Sequence, residues 1–148
     1  MAESAVDTNI FLRTANREDP LHSLAQKAID MLDRRGDRVM LLPQNLYEFY
    51  TVATRPKISR GGLGLNTRSA LYQVDRLLEL FELLPDSPQI LPEWRQLIQA
   101  HSVSGVAAHD ARIVAAMNVH RISNLLTLNT ADFKRYSHIT VLHPNDIV

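Results

Sequence analysis

The stretch Ala5-Val-Asp-Thr-Asn9 ends a short apolar run with a carboxylate, and residues 125–132, Leu-Leu-Thr-Leu-Asn-Thr-Ala-Asp, repeat that arrangement near the other end of the chain. Both apolar runs are short and lack polar alternation, which is typical of buried parallel strands. Asp7 and Asp132 follow these runs directly or within one turn. Since functional groups of parallel α/β sheets gather beyond the carboxyl ends of the strands, the two acids are expected to meet there.

The segments between these runs predict alternating helices and strands. Asp19, Pro20 and Gly36 mark the start and end of a helix, and Asn66 is placed to cap another. The pattern therefore predicts a single α/β domain over residues 1–148, with a central, mostly parallel sheet between helices. The predicted helices are 19–35, 43 to before Pro56, 66–80, 91–100, 110–119 and 130–136. The predicted strands are a short one before Asp7 and the segments 38–42, 81–84, 125–128 and 140–142. Residues 59–65 are predicted to form a loop.

Composition narrows the class of protein further. The chain has 148 residues, of which 45% are hydrophobic and 22% charged, and it has no cysteine. Disulfides and thiolate metal sites are thus excluded, and a reducing compartment is favoured. We see neither a run of roughly 18 apolar residues nor the basic and apolar regions of a signal peptide. These features predict a cytoplasmic protein with no membrane association.

Charge is unevenly distributed although the formal net charge is zero. Between Phe49 and Val74 there is no acid, whereas Arg55, Lys57 and Arg60 lie close together there. Arginine binds phosphate oxygens through two parallel hydrogen bonds, so such a segment is typical of a nucleic-acid footprint. The alternative is a set of solvated surface arginines.

Two further carboxylates occupy apolar helical patterns. Glu48 is the only charge in Leu46-Tyr-Glu-Phe-Tyr-Thr-Val-Ala53, and Asp110 opens the run Asp110-Ala-Arg-Ile-Val-Ala-Ala-Met117. A carboxylate on a buried face is costly unless a cation or hydrogen bonds compensate it. Carboxylates without cysteine or histidine partners suit Mg²⁺ or Mn²⁺, and two such ions can promote phosphodiester hydrolysis. Helix capping, partial exposure and first-turn dipole effects are the structural alternatives.

The order of these motifs resembles that of PIN-domain ribonucleases, specifically VapC-type toxins of bacterial toxin–antitoxin pairs. The matching pieces are Val6-Asp-Thr-Asn-Ile-Phe-Leu12, Leu46-Tyr-Glu-Phe49, His109-Asp-Ala-Arg-Ile-Val-Ala115 and Leu125-Leu-Thr-Leu-Asn-Thr-Ala-Asp-Phe133. Their order and spacing agree over essentially the whole chain. The combination of the first and last pieces is more specific than the Asp-Thr-Asn start alone.

The resemblance implies a three-layer α/β/α fold and Mg²⁺- or Mn²⁺-dependent RNA cleavage by an attacking water. Carried over by position, Asp7, Glu48, Asp110 and Asp132 are the catalytic and metal-binding acids, with Asp7 and Asp110 the principal ligands. The polar residues Thr8, Asn9, Asn129 and Thr130 are expected to hold these carboxylates. A cognate antitoxin protein, a homodimer and an RNA substrate follow from the same resemblance.

Segment 57–69 has no clear counterpart in the family, and we interpret it as a candidate substrate loop, with a plain flexible connection as the alternative. The residues predicted to bind substrate are Arg55, Lys57, Arg60 and Arg112. A PIN nuclease of RNA processing outside any toxin system and a catalytically inactive RNA-binding module are the remaining alternatives. A haloacid-dehalogenase-like phosphatase is disfavoured because Asn9 stands where its second aspartate is needed. The aromatic residues Tyr47, Tyr50 and Trp94 are predicted to lie in the core.

Overall fold

A computed structural model describes residues 2–59 and 61–148 and contains a five-stranded parallel sheet with the strand order β3-β2-β1-β4-β5. The strands are β1 (Glu3–Val6), β2 (Arg38–Leu41), β3 (Glu82–Leu83), β4 (Asn124–Leu126) and β5 (Thr140–Leu142). The helices are α1 (Thr8–Thr14), α2 (His22–Arg34), α3 (Pro43–Ala53), α4 (Thr67–Leu80), α5 (Ile90–His101), α6 (Ala107–His120) and α7 (Pro144–Ile147), and Thr130–Phe133 forms a 3-10 turn.

Successive strand residues point to opposite sides of the sheet, so both faces carry apolar side chains and both are covered by helices. Ala5 and Leu125 pack into one core cluster with α5 and α6. Their neighbours Val6 and Leu126 pack into a second cluster with α1, α2, α3 and α4. The predicted three-layer α/β/α architecture with a parallel sheet is confirmed.

Several boundaries differ from the sequence-based expectation. Helix α2 begins at His22 instead of Asp19. The Asp19 carboxylate accepts a hydrogen bond from the Leu21 amide at 2.8 Å and pairs with Arg13, so it closes a turn before the helix. Asn66 caps α4 as predicted, accepting from the Ser69 amide at 2.8 Å. The terminal helix α7 was not expected from the sequence.

The aromatic residues divide between core and surface. The Trp94 indole is half-buried against the cluster of α5 and α6, and it donates to the Ala108 carbonyl at 2.9 Å. Tyr50 is partly buried in the opposite cluster. Tyr47 is 65% exposed, so its predicted place in the core is wrong. In the described part of the chain, no helix has the length and apolarity needed to cross a bilayer.

The glycine-rich segment after α3 is fixed to that helix by backbone contacts. The Gly64 amide donates to the Arg55 carbonyl at 2.7 Å, and the Leu65 amide donates to Ala53 at 2.9 Å. Gly62 is buried, and a Cβ atom there would lie 2.3 Å from the Pro56 carbonyl oxygen. A side chain at position 62 is therefore excluded by backbone atoms that cannot move independently.

We expect Gly62→Ala to lower the free energy of unfolding by about 2 kcal/mol, because the new methyl group must displace the chain at Arg55 and Pro56. Urea denaturation followed by circular dichroism measures the change. Ile58→Ala is the matched control in the same loop, since the Ile58 side chain is 99% exposed. Equal stability of Gly62→Ala and the wild type would show that the loop does not pack as described.

Candidate active site

Asp7 lies at the carboxyl end of the central strand. Val6 is in register with Leu126 of β4, and the Asp7 amide donates to the Leu126 carbonyl at 2.9 Å. The Asp7 side chain is buried, and its Oδ2 accepts a hydrogen bond from Thr127 Oγ1 at 2.8 Å. Asn9 Nδ2 lies 3.4 Å from the same oxygen. The carboxylate is thus held by side chains from β1–α1 and from the end of β4.

Glu48 is held by a chain of hydrogen bonds that starts at the buried Asn45. Asn45 Nδ2 donates to the Val6 carbonyl at 3.0 Å and to Thr8 Oγ1 at 3.1 Å. Thr8 Oγ1 donates in turn to Glu48 Oε1 at 3.0 Å. Asn45 Oδ1 accepts from the Leu42 amide at 2.9 Å. These bonds join the start of α3 to the end of β1 and place Glu48 beside Thr8.

Asp110 and Asp132 complete an acidic site. Asp110 is in the first turn of α6, and Asp132 is exposed in the 3-10 turn after β4. The pKa of Asp7 is raised to about 6 by burial and by the negative charges of Glu48 and Asp132, while the Thr127 hydrogen bond opposes the rise. Burial, followed by the charges of Asp7, Asp132 and Glu48, raises the pKa of Asp110 to about 7. The four carboxylates are therefore close enough to repel one another.

The chemistry of these donors suits a hard divalent cation. Within residues 2–59 and 61–148, none of the four carboxylates takes part in an ion pair. Asn9 Oδ1, next to Asp7, is buried without a hydrogen-bond partner in the same residues. In that described part, however, no group of three His, Cys, Asp or Glu side chains has the geometry of a metal site. The donor types fit such an ion, although the described residues hold no preformed group of three ligands for it.

The predicted substrate-binding residues are divided between two cavities. Arg55 and Arg112 line a groove of about 540 Å³ together with Glu48. Lys57 lines a separate cavity beside Gly61 and the connection between α1 and α2. Arg60 lies outside the described residues. Arg55 and Arg112 therefore share a groove with Glu48 of the acidic site, whereas Lys57 lies in a different cavity.

The contacts to the carboxylates come partly from residues that sequence reasoning missed. Thr8 and Asn9 bond to the acids, but the other contacts come from Thr127 and, through Thr8, from Asn45. Asn129 acts through its backbone, since its amide donates to Thr127 Oγ1 at 3.0 Å. Thr130 begins the 3-10 turn. Their positions in the sequence could have suggested them, because Thr127 directly follows β4 and Asn45 stands in the first turn after Pro43.

A search of protein families matches residues 5–139 to the PIN domain. The chain belongs to the PIN domain family. This confirms the resemblance derived from the sequence motifs. No protein with a curated description matches the chain at a significant level.

Solved structures share this fold at low sequence identity. DNA-bound VapBC from Salmonella typhimurium has a TM-score of 0.70 at 17% identity, covering 97% of this chain and 99% of that one. VapBC2 from Rickettsia felis, bound to a promoter DNA fragment, has a TM-score of 0.69 at 15% identity, with 95% and 98% covered. VapC20 from Mycobacterium tuberculosis, a toxin that cleaves the sarcin-ricin loop, has a TM-score of 0.60 at 19% identity, with 82% and 86% covered.

The burial of Asp7, together with the negative charges around it, predicts an unusual pH dependence of stability. The pKa of Asp7 is about 6 in the folded protein and 3.8 for the unperturbed group, so protonation of Asp7 stabilises the fold below pH 3.8 and this stabilisation is lost as the pH rises through about 6. In EDTA at pH 8, we expect Asp7→Asn to raise the free energy of unfolding by about 2 kcal/mol. Urea denaturation at pH 8 and at pH 5 measures the gain, which is smaller at pH 5.

Asp75→Asn, at an exposed position of α4, is the control for the loss of one negative charge and is expected to change stability little. A metal-free Asp7→Asn protein that is less stable than the wild type at pH 8 would contradict the described repulsion.

Proposed function

We propose that this chain is a divalent-metal-dependent endoribonuclease that hydrolyses RNA phosphodiester bonds, and that it is the toxin of a type II toxin–antitoxin pair. The proposal rests on one observation, the gathering of Asp7, Glu48, Asp110 and Asp132 at the carboxyl end of the sheet in a PIN-domain chain. In the described part of the chain these interacting acids form no ion pair, and the charge of Arg135 offsets only part of the repulsion at Asp110, so the cluster is difficult to explain by stability alone.

Asp7 and Asp110 are the proposed principal ligands of Mg²⁺ or Mn²⁺, and Glu48 and Asp132 bind directly, through water, or orient the nucleophile. The bound ion supplies positive charge that neutralises the acids, lowers the pKa of water and stabilises the charge developing on the phosphate. Burial is the largest cause of the raised pKa values of Asp7 and Asp110, and the neighbouring negative charges, which a cation would neutralise, are the next.

The protein's own residues set the geometry of the reaction. Thr127 and Asn9 hold the Asp7 carboxylate, while Asn45 and Thr8 hold Glu48. Asp132 is exposed, and its proposed role is to orient the attacking water and accept its proton. Arg55 and Arg112 bind phosphates next to the scissile bond, with Lys57 and Arg60 contacting the RNA further away.

The proposed partner is an antitoxin whose tail fills the cleft and places an arginine among the acids. Structural relatives from Salmonella typhimurium and Rickettsia felis are toxin–antitoxin complexes bound to DNA, which supports this class of partner. We further propose that the chain acts in the cytoplasm as a homodimer. A PIN nuclease of RNA processing and an inactive RNA-binding module are the competing functions.

Purified protein is expected to cut RNA with Mg²⁺ or Mn²⁺ and to lose that activity in excess EDTA, because the acids alone cannot activate water. Asp7→Asn should abolish cutting while circular dichroism shows the same fold. Mg²⁺ should raise the melting temperature of the wild type but not of Asp7→Asn.

The control is Asp75→Asn, which should cut RNA as the wild type does. Equal cleavage by the wild type with and without EDTA would exclude the metal-dependent mechanism. RNA binding without any metal-dependent turnover would favour the inactive module.

Induced expression in a bacterial host is expected to arrest growth, because cleavage of an essential RNA stops protein synthesis. Asp110→Asn should relieve the arrest at equal protein level, checked by immunoblot and growth curves. A wild-type protein that cuts RNA in vitro yet leaves growth unchanged would favour a nuclease of RNA processing over a toxin.

A further inference from the structure

Tyr47 is an exposed aromatic residue at the entrance to the acidic site. It directly precedes Glu48 on α3, and 65% of its surface is accessible. Tyr47 lies outside both core clusters, so its ring is accessible to a ligand.

Tyr47 lines the groove of about 540 Å³ that also contains Glu48, Arg55 and Arg112, which we call the α3–α6 groove. Tyr47 and Thr51 are four residues apart on α3, so they lie on the same side of that helix, and Arg55 follows just beyond the helix end at Ala53. Glu48 belongs both to this groove and to the acidic site. The groove is therefore continuous with the acidic site at Glu48 and is lined on the α3 side by Tyr47, Thr51 and Arg55.

The opposite wall of the groove is formed by α6, whose Arg112 side chain is held in place by hydrogen bonds. Arg112 Nη1 donates to Gln44 Oε1 at 3.1 Å, and Arg112 Nη2 lies 3.3 Å from Asp86 Oδ2. Gln44 is buried and its Nε2 donates to the His109 carbonyl at 2.8 Å. Because Gln44 and Asp86 fix the guanidinium, less side-chain entropy is lost when Arg112 binds an anion.

We propose that the α3–α6 groove is a subsite for one unpaired nucleotide next to the scissile phosphate, with the Tyr47 ring stacked on its base. Arg112 and Arg55 bind the phosphates on either side of that nucleotide. The subsite rests on the proposed nuclease function and extends it, because it selects single-stranded RNA. Bases in an A-form duplex are covered by their neighbours and cannot stack on a protein ring.

Charge favours RNA over a second copy of this chain as the occupant. The groove presents two arginines, Arg55 and Arg112. The Asp86 carboxylate offsets part of the charge of Arg112, and the acid of the groove, Glu48, belongs to the proposed metal site. An aromatic ring flanked by arginines matches the way proteins bind single strands, through base stacking combined with phosphate contacts.

Binding can be tested without catalysis, in an Asp7→Asn background with Mg²⁺. The probes are a fluorescently labelled single-stranded oligoribonucleotide, the same strand in a duplex, and single-stranded versions with 2-aminopurine at successive positions. Tyr47→Ala is expected to weaken single-strand binding by roughly tenfold or more, and to abolish the quenching of one 2-aminopurine position. Tyr47→Trp should retain both, and duplex binding should not depend on Tyr47.

Tyr72→Ala is the matched control, because Tyr72 is 60% exposed on α4, away from this groove, and should bind RNA as the parent does. Single-strand affinity that is equal in the parent and Tyr47→Ala would overturn the subsite. So would a change from dimer to monomer in Tyr47→Ala with unchanged RNA affinity, since this face would then be an interface between copies.

The two proposals fail in different ways. If the wild type shows no metal-dependent cleavage but RNA binding depends on Tyr47, the nuclease function is overturned and the RNA subsite is supported. If the wild type cuts RNA and Tyr47→Ala binds and cuts equally well, the subsite is overturned while the nuclease function stands.

Discussion

Repulsion among four carboxylates at the carboxyl end of a parallel sheet is the constraint on which the rest of the structure depends. Burial and the neighbouring negative charges raise the pKa of Asp7 to about 6 and that of Asp110 to about 7. Such an arrangement opposes folding at neutral pH, so the rest of the domain must supply the stability that keeps the acids together. The two core clusters on either side of the sheet provide it.

A small set of hydrogen bonds turns this unfavourable cluster into a defined geometry. Asn45 is fully buried and connects the end of β1 to α3, so Thr8 can donate only towards Glu48. Thr127 holds Asp7 from the neighbouring strand β4. Because β1 lies at the centre of the sheet, both contacts reach the same strand end. The polar side chains thereby fix two of the acids before any ion binds.

The sequence was sufficient to predict the parallel α/β fold, whereas the roles of the four acids stay a prediction. Short apolar runs followed by acids predict parallel strands, and the structure places Asp7 and Asp132 within electrostatic reach of each other. The polar contacts were less predictable, because Asn45 and Thr127 act through tertiary hydrogen bonds that leave no periodic signal. Tyr47 was assigned to the core because its apolar neighbours suggested a buried helix, whereas α3 in fact exposes that side to the groove. Side-chain direction at a helix edge depends on the neighbouring helix, which local pattern does not specify.

The central claim is that these acids bind a divalent metal ion, although the described residues contain no preformed three-ligand site. A crystal of the protein soaked in Mn²⁺ tests this directly through anomalous scattering. We predict a manganese peak within about 2.3 Å of carboxylate oxygens from both Asp7 and Asp110, at the carboxyl end of β1. Absence of a peak there at saturating Mn²⁺, with both carboxylates ordered, would contradict the claim.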